Sequence, residues 1–166
     1  PSQENISVTF HGKKAHAGVE PEKGINAIVV ASHAIRNMHI GRIDEETTSN
    51  IGRIEGGAAT NVVTDKVTFT AEIRSHKEEK LEAEIAHMKK CCEDAAKAFN
   101  TTYEFNHENS YPRFEVDSES FVFKLSEEGL KKAGVEPKAM ITGGGSDANI
   151  ISSYGYICAI SSSYSR

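Results

Sequence analysis

Residues 67–99 read VTFTAEIRSHKEEKLEAEIAHMKKCCEDAAKAF, and the spacing of apolar side chains changes within this stretch. Val67–Ile73 alternates apolar and polar residues, which predicts a strand with one buried face. Lys77–Phe99 places its apolar residues three and four positions apart, which predicts a long amphipathic helix. A strand that runs into such a helix is a building unit of layered domains that combine a sheet with helices.

The same two periods recur on both sides of this unit. Further strands are predicted at Ile6–His11, Asn50–Ile54 and Thr102–His107, and a further helix at Ile25–Met38. The order is therefore β-α-β-β-α-β, which predicts an α+β, ferredoxin-like fold: a four-stranded antiparallel sheet with two helices on one face. An open sheet leaves its edges unpaired, and pairing of edges across a two-fold axis is a common way to cover them.

The pattern changes after Tyr111, which divides the chain into residues 1–111 and residues 112–166. The second part predicts a helix at Ser118–Lys132, a strand at Lys138–Thr142, a helix after GGGSDANI and a last strand at Tyr156–Ile160. Such alternation is typical of a different, α/β layer, so we expect a segment of a second domain here. The serine-rich end SSSYSR shows no packing pattern.

Charge and hydropathy exclude two classes of partner. The net charge is −5, from 19 basic and 24 acidic residues, and no basic stripe with interleaved aromatic residues occurs, so a nucleic-acid partner is not expected. The longest apolar run, Ala27–Ala31, is far too short to cross a bilayer, and the first residues lack a signal-peptide pattern. We therefore expect no membrane partner.

The cysteines do not form a recognisable disulfide or metal pattern. Cys91 and Cys92 are adjacent and Cys158 is distant, an odd set without C-x-x-C spacing. They are interpreted as reduced, mostly buried thiols of a cytoplasmic protein. A cysteine hydrolase is disfavoured, because both adjacent cysteines fall on the apolar stripe of a helix, where a thiolate is unstable.

Two segments of the first domain carry candidate binding groups. His16 lies in HGKKAHAGVEPEKGINA (11–27), where small neighbours would let another molecule approach the imidazole; the alternative is a surface histidine in a turn. Asn61 and Arg74 lie in GGAATNVVTDKVTFTAEIRSH (56–76). Arg74 is predicted on the sheet face opposite Ile73, where its planar fork could bind a carboxylate or pair with a neighbouring acid.

A third segment, TGGGSDANI (142–150), joins a predicted strand to a predicted helix. Three glycines before a helix leave backbone N–H groups free to bind an anion or a carbonyl oxygen. The segment matches neither the phosphate-binding loop nor the dinucleotide fingerprint. Asp147 is predicted to cap the helix rather than to do chemistry.

In this order, AHAGVEPEKGINA (15–27), GGAATNVVTDKV…AEIRSH (56–76) and GGGSDAN (143–149) resemble the zinc-dependent aminoacylase/carboxypeptidase metallopeptidase family, most closely its peptidase T-like (tripeptidase) branch. The resemblance implies a fragment of a di-zinc exopeptidase that hydrolyses small peptides. It assigns residues 1–111 to the lid and dimerisation domain and residues 112–166 to part of the catalytic domain. It also implies a homodimer formed through the lid.

The resemblance further implies roles for individual residues. His16 matches the histidine that enters the partner subunit's site and stabilises the oxyanion, and Asn61 and Arg74 match substrate-binding residues of the lid. The substrate-lining turn matches Gly143, Gly144, Gly145 and Ser146. No His-x-Asp ligand motif occurs, and the Glu-Glu pairs lack a histidine partner. We therefore expect the two zinc ions to belong to the full-length parent, and this chain to bind no metal and to be inactive alone.

The element order leaves one alternative function open. A non-catalytic ferredoxin-like module that dimerises or binds a small ligand would show the same order of strands and helices, because fold does not determine function. The feature that favours the peptidase is GGGSDAN with its attached helix, which a stand-alone module does not need.

Overall fold

The computed structural model describes residues 1–161, and most of its regular structure lies in the first 111. The strands are β1 (Ser2–His11), β2 (Gly41–Arg42), β3 (Thr47–Gly56), β4 (Lys66–Ser75) and β5 (Thr102–Tyr111), and the helices are α1 (Ala27–Asn37) and α2 (Glu78–Ala98). A single 3₁₀ turn, Pro21–Lys23, interrupts the loop before α1. Residues 162–166, the last five of the serine-rich end, lie outside the described residues.

The five strands form one antiparallel sheet in the order β2-β3-β4-β1-β5. Strand β1 lies between β4 and β5 and pairs with both, with Ser2 opposite Ser75 and His11 opposite Lys66 on the β4 side. This arrangement confirms the predicted ferredoxin-like α+β fold. The sheet has one strand more than predicted, because β2 is two residues long and too short to show an alternating pattern.

Both helices of this region pack on the same face of the sheet. The inward positions of β1 and β4 are fully apolar at their centres, and Val8, Phe10, Phe69 and Ile73 are completely buried. These side chains meet the apolar stripe of α2, including Met88, in one continuous core. Burial of each large apolar side chain contributes about 1.5–3 kcal/mol, so this cluster stabilises the domain.

Strand β1 begins four residues earlier than the alternation predicts. Its first two inward positions are Ser2 and Glu4, which are polar but buried. Both are satisfied by hydrogen bonds: Ser2 bonds to the Glu78 carboxylate, and Glu4 pairs with His107 at 2.9 Å. Hydrogen bonds allow buried polar groups to replace apolar ones, so hydropathy alone misses this part of the strand.

The second region contains two helices, α3 (Phe121–Lys132) and α4 (Asp147–Ser153). The strands predicted at Lys138–Thr142 and Tyr156–Ile160 are wrong, because both segments are irregular. A strand is stabilised by a neighbouring strand, and neither segment has one among residues 1–161. No helix in the described part of the chain is long and apolar enough to span a membrane.

Candidate functional site

The loop that carries His16 is fixed at one end of the sheet by backbone hydrogen bonds to the loop that carries Asn61. The Ala17 N–H donates to the Asn61 carbonyl at 2.9 Å, and the Val63 N–H donates to the Ala15 carbonyl at 2.9 Å. At the base of the loop its two ends lie so close together that a Cβ on Gly12 would be 2.2 Å from the Ile25 carbonyl oxygen. The structure therefore brings His16 and Asn61 together.

The His16 imidazole is exposed and held in one orientation. The Gly18 N–H donates to His16 Nδ1 at 3.2 Å, so Nδ1 acts as an acceptor. In the neutral ring the hydrogen then resides on Nε2, which is left as a donor. This arrangement presents one N–H to a ligand from outside the loop, which is the chemistry that an oxyanion requires.

Arg74 lies near the opposite end of β4, where its guanidinium is already engaged. Nε and Nη2 donate to the two carboxylate oxygens of Glu72 at 3.0 Å each, and Nη1 donates to the Gly143 carbonyl at 3.3 Å. The hydrogen bonds to Glu72 raise the pKa of Arg74, so the group stays charged. The predicted face is correct, because Ile73 is buried while Arg74 is partly exposed.

Two arginine side chains, Arg74 and Arg113, lie at this end of the sheet, and each is paired with an acid, Glu72 and Glu115 respectively. Burial lowers the pKa of His76, two residues after Arg74. Arg113 also donates its backbone N–H to Ser2 at the start of β1. A carboxylate could bind here through the N–H donors of Arg74 that Glu72 and Gly143 leave free.

The glycine-rich segment is positioned against the same end. A Cβ on Gly145 would lie 2.2 Å from the Tyr111 hydroxyl oxygen, so a larger residue here would require the Tyr111 ring to move. Ser146 is the N-cap of α4 and forms a capping box with Asn149. The prediction that Asp147 caps the helix is therefore wrong: Asp147 is the first helical residue, because Ser146, one position earlier, is the N-cap and donates its N–H to Asn149 Oδ1 at 3.0 Å.

The two groups of candidate residues lie at opposite ends of β4. Arg74 faces Gln3 in the register and Lys66 faces His11, so eight residues separate the two ends. At about 3.4 Å per residue this is a separation of roughly 27 Å. His16 and Asn61 therefore cannot contact the same small ligand as Arg74 and Gly143 within one chain.

The cysteines are free, as predicted, and the two in α2 are buried. Burial raises the pKa of the Cys92 thiol to about 12 and also raises that of Cys91. A thiolate nucleophile is disfavoured at both positions, which agrees with the sequence interpretation.

Sequence reasoning missed one group of potential ligands, His39, Glu84 and His87. One ligand atom of each residue lies within 4.8 Å of the other two. Glu84 and His87 have the i, i+3 spacing that places two side chains on one helix face, a signal that was available in the sequence. His39 comes from the segment after α1, and only the packing of the two helices brings it to this place.

Comparison with known proteins identifies the family to which the chain is similar. The model of the M20 peptidase dimerisation domain matches residues 5–100. The protein YqjE of Bacillus subtilis, described as uncharacterized, is 46% identical over 155 residues, which are 93% of this chain. The crystal structure of the aminopeptidase PepT of Bacillus cereus matches with 43% identity and a TM-score of 0.85 over 94% of the chain.

A tripeptidase structure from Staphylococcus aureus is similar as well, with 40% identity and a TM-score of 0.87 over 93% of the chain. The chain spans only about two-fifths of these relatives: 42% of YqjE, 42% of the PepT chain and 41% of the tripeptidase chain. The similarity therefore covers the dimerisation domain and the adjoining segment.

Proposed function

Because the chain belongs to the M20 peptidase family and carries its dimerisation domain, we propose that it is the lid and substrate-contacting part of a di-zinc exopeptidase that hydrolyses small peptides. Residues 1–111 are the lid and dimerisation domain, and residues 112–166 belong to the catalytic domain. The full-length enzyme acts as a homodimer and resides in the cytoplasm. Its substrate class follows the aminopeptidase and tripeptidase structures that resemble this chain.

The observation that carries this proposal is the separation of His16 from Arg74 along β4. In a dimer, the exposed His16 of one subunit serves the site that contains Arg74 of the other subunit. His16 Nε2–H donates to the oxyanion as the tetrahedral intermediate forms, because Gly18 fixes Nδ1 as the acceptor. Asn61 accompanies His16, since the two loops are joined by backbone hydrogen bonds.

Arg74 and the glycine-rich segment form the other wall of the site. The guanidinium of Arg74 binds the substrate carboxylate, and Glu72 is displaced from part of it when that carboxylate binds. Gly143, Gly144, Gly145 and Ser146 line the pocket beside it. Each substrate is then held by residues of two subunits.

The residues of this chain do not fit the catalytic metal pair. In the region described, the group that could hold an ion is His39, Glu84 and His87, and its members lie on α2 and after α1 rather than beside Arg74 or His16. We therefore assign the ligands of both zinc ions to parts of the full-length enzyme outside this chain. The zinc pair would activate the attacking water and polarise the scissile carbonyl.

The dimer interface is proposed at the β3 edge and the neighbouring helix α1. Strand β2 covers only Thr48 and Ser49 of β3, so the outer edge of β3 from residue 50 to residue 56 has no paired strand in the described part of the chain. Ile54 on β3 and Ile28 and Val29 on α1 are 43–51% exposed and apolar. Edge pairing together with burial of this strip would stabilise the dimer.

A matched pair of charge substitutions tests the interface. Val29→Glu introduces a charge into the proposed strip, whereas Ala86→Glu introduces the same charge on an exposed position of α2. In sedimentation velocity experiments we expect Val29→Glu to convert dimers to monomers and Ala86→Glu to leave them intact. Dimers that withstand Val29→Glu, or that dissociate equally in both variants, would place the interface elsewhere.

A subunit-mixing experiment tests the proposed function itself. Full-length His16→Ala subunits are mixed with subunits that lack a catalytic metal ligand, and dissociation and reassociation produce hybrid dimers. One site of each hybrid combines an intact metal pair with an intact His16, so activity on a tripeptide should return to a substantial fraction of one site's value. If hybrids form but stay as inactive as both parents, His16 does not act across the dimer.

A further inference from the structure

His39, Glu84 and His87 form a compact group between the two helices of the first domain. The imidazoles of His39 and His87 are stacked, with ring centroids 3.9 Å apart and planes 10° from parallel. His39 Nδ1 lies 3.1 Å from Glu84 Oε2. Two imidazoles and one carboxylate are the ligand set of many zinc sites that keep a fourth position open.

The Glu84 carboxylate is the unusual member of the group. Its side chain is only 8% exposed, and Oε1 is buried without a hydrogen-bond partner among the described residues. A buried carboxylate oxygen without a partner is costly, because water no longer solvates it. A bound cation would satisfy this oxygen, whereas His39 reaches only the other one.

We propose that His39, Glu84 and His87 form a binding site for a divalent transition-metal ion of the zinc type, separate from the catalytic pair. This inference departs from the sequence expectation that the chain binds no metal. Imidazole nitrogen and carboxylate oxygen together favour zinc, and tetrahedral ligand atoms at about 2.0–2.1 Å from zinc lie roughly 3.4 Å apart. The three atoms, now within 4.8 Å, have to approach each other by up to about 1.4 Å.

The required movement falls on His39, whose side chain is 56% exposed. The nitrogen lone pairs of stacked imidazoles lie in two parallel planes, here with ring centroids 3.9 Å apart, so one ring must turn before both can point at one ion. His39 follows the last turn of α1 and is exposed, so it can turn if its contacts with Glu84 and His87 rearrange, whereas His87 is held within α2 and bonded to the Asn37 carbonyl at 3.2 Å. The ion would link the end of α1 to the middle of α2.

Cys91 lies beside the group but is not part of the proposed ligand set. Its thiol donates to the Asn37 carbonyl at 3.4 Å and lies 3.6 Å from His87 Nε2. Since the thiol already has an acceptor, the site does not need a thiolate. Cys91→Ser is therefore a control variant next to the ligands.

The test is a zinc titration of the untagged 166-residue chain by isothermal titration calorimetry, with folding of every variant verified by circular dichroism. We expect one equivalent of Zn²⁺ to bind and the melting temperature to rise with zinc concentration. His39→Asn and His87→Asn should each weaken binding at least tenfold. His107→Asn is the matched control, because His107 also pairs with a buried glutamate, Glu4, but has no second imidazole beside it.

Cobalt provides a second, spectroscopic readout. Co²⁺ bound to two imidazoles and a carboxylate should show visible d–d bands without the intense near-ultraviolet thiolate band, and Cys91→Ser should leave the spectrum unchanged. Loss of zinc binding in His39→Asn and His87→Asn with retention in His107→Asn and Cys91→Ser supports the site. No saturable binding to the folded chain, or equal affinity in all four variants, overturns it.

Discussion

The first 111 residues and the segment that follows them contrast in what covers their apolar side chains. In the first region, Phe10 and Phe69 are completely buried between sheet and helices. In the second, Phe121 is 76% exposed and Ile141 is 85% exposed, and α3 has no buried residue. Both regions contain well-capped helices, so local signals suffice to form a helix but do not supply a core.

The difference agrees with the proposal that the two regions belong to different domains. The first region closes its own core, as an inserted lid must. The second is joined to it by a few polar contacts, of which the buried side chain of Asn149 makes two, donating to the carbonyls of Pro1 and Pro112 at 3.1 and 2.9 Å. Its exposed apolar side chains would face the remainder of the proposed catalytic domain.

The largest expected effect is a difference in stability between two phenylalanine truncations. In the 166-residue chain, Phe69→Ala should lower the free energy of unfolding by about 3–5 kcal/mol, because it leaves a cavity in the core. Phe121→Ala should change it by less than about 0.5 kcal/mol, since the ring is exposed. Urea denaturation followed by circular dichroism measures both, and similar losses would mean that the two regions share one core.

The next effect is on catalysis in the full-length enzyme. His16→Ala should lower kcat by about two to three powers of ten, which corresponds to roughly 3–4 kcal/mol for one lost oxyanion donor. Arg74→Ala should chiefly raise KM, because a carboxylate contact is made in the ground state and the transition state alike. Steady-state kinetics on a tripeptide separates the two effects.

His11→Ala serves as the control for both variants, because His11 lies on the sheet and bonds to Glu104 rather than to a candidate site residue. It should leave kcat and KM near the parent values. If His16→Ala raised KM and left kcat unchanged, this result would contradict the oxyanion role.

A smaller effect is expected at the junction of the two regions. Asn149→Ala removes the hydrogen bonds to the Pro1 and Pro112 carbonyls and the acceptor of the Ser146 N–H in the capping box, which should weaken docking of the second region by about 1–3 kcal/mol. Amide hydrogen exchange in α4 should accelerate while α2 keeps its protection. Asn106→Ala, exposed on β5, is the control, and equal exchange in both variants would show that Asn149 does not hold the regions together.

The smallest effect concerns the pH dependence of stability. The hydrogen bond from Lys80 lowers the pKa of Asp44 from 3.8 to about 2. Because the folded-state pKa lies below the unfolded value, the stabilisation is present above pH 3.8 and is lost as the pH falls toward about 2. Asp44→Asn should therefore flatten the acid limb of the stability curve in this window.

Glu136→Gln is the matched control, an exposed carboxylate in the second region. It removes one negative charge without touching the pair of Asp44 and Lys80. Denaturant midpoints measured at several pH values test both variants, and an unchanged slope in Asp44→Asn would show that the pairing with Lys80 does not persist in solution.

The sequence by itself determined the order and nature of the elements in the first region. Alternation in Val67–Ile73 and the helical spacing in Lys77–Phe99 define both elements to within one or two residues of the observed β4 and α2. Periodicity predicts these elements because each one buries a single face, and the residues of that face recur at a fixed spacing along the sequence. The motifs that carry His16, Arg74 and Gly143 were recognised by their resemblance to the metallopeptidase family, since each consists of consecutive residues.

Only the tertiary structure decided how distant residues meet. Ser2 and Glu4 join a strand through side-chain hydrogen bonds, and the segments predicted as strands after residue 137 stay irregular because no neighbouring strand is present in residues 1–161. The register of β1 with β4 places the His11 end, where the His16 loop begins, about 27 Å from Arg74, and helix packing brings His39 to Glu84. Periodicity reports which face of an element is buried, whereas contacts between elements depend on register and packing, which no local pattern encodes.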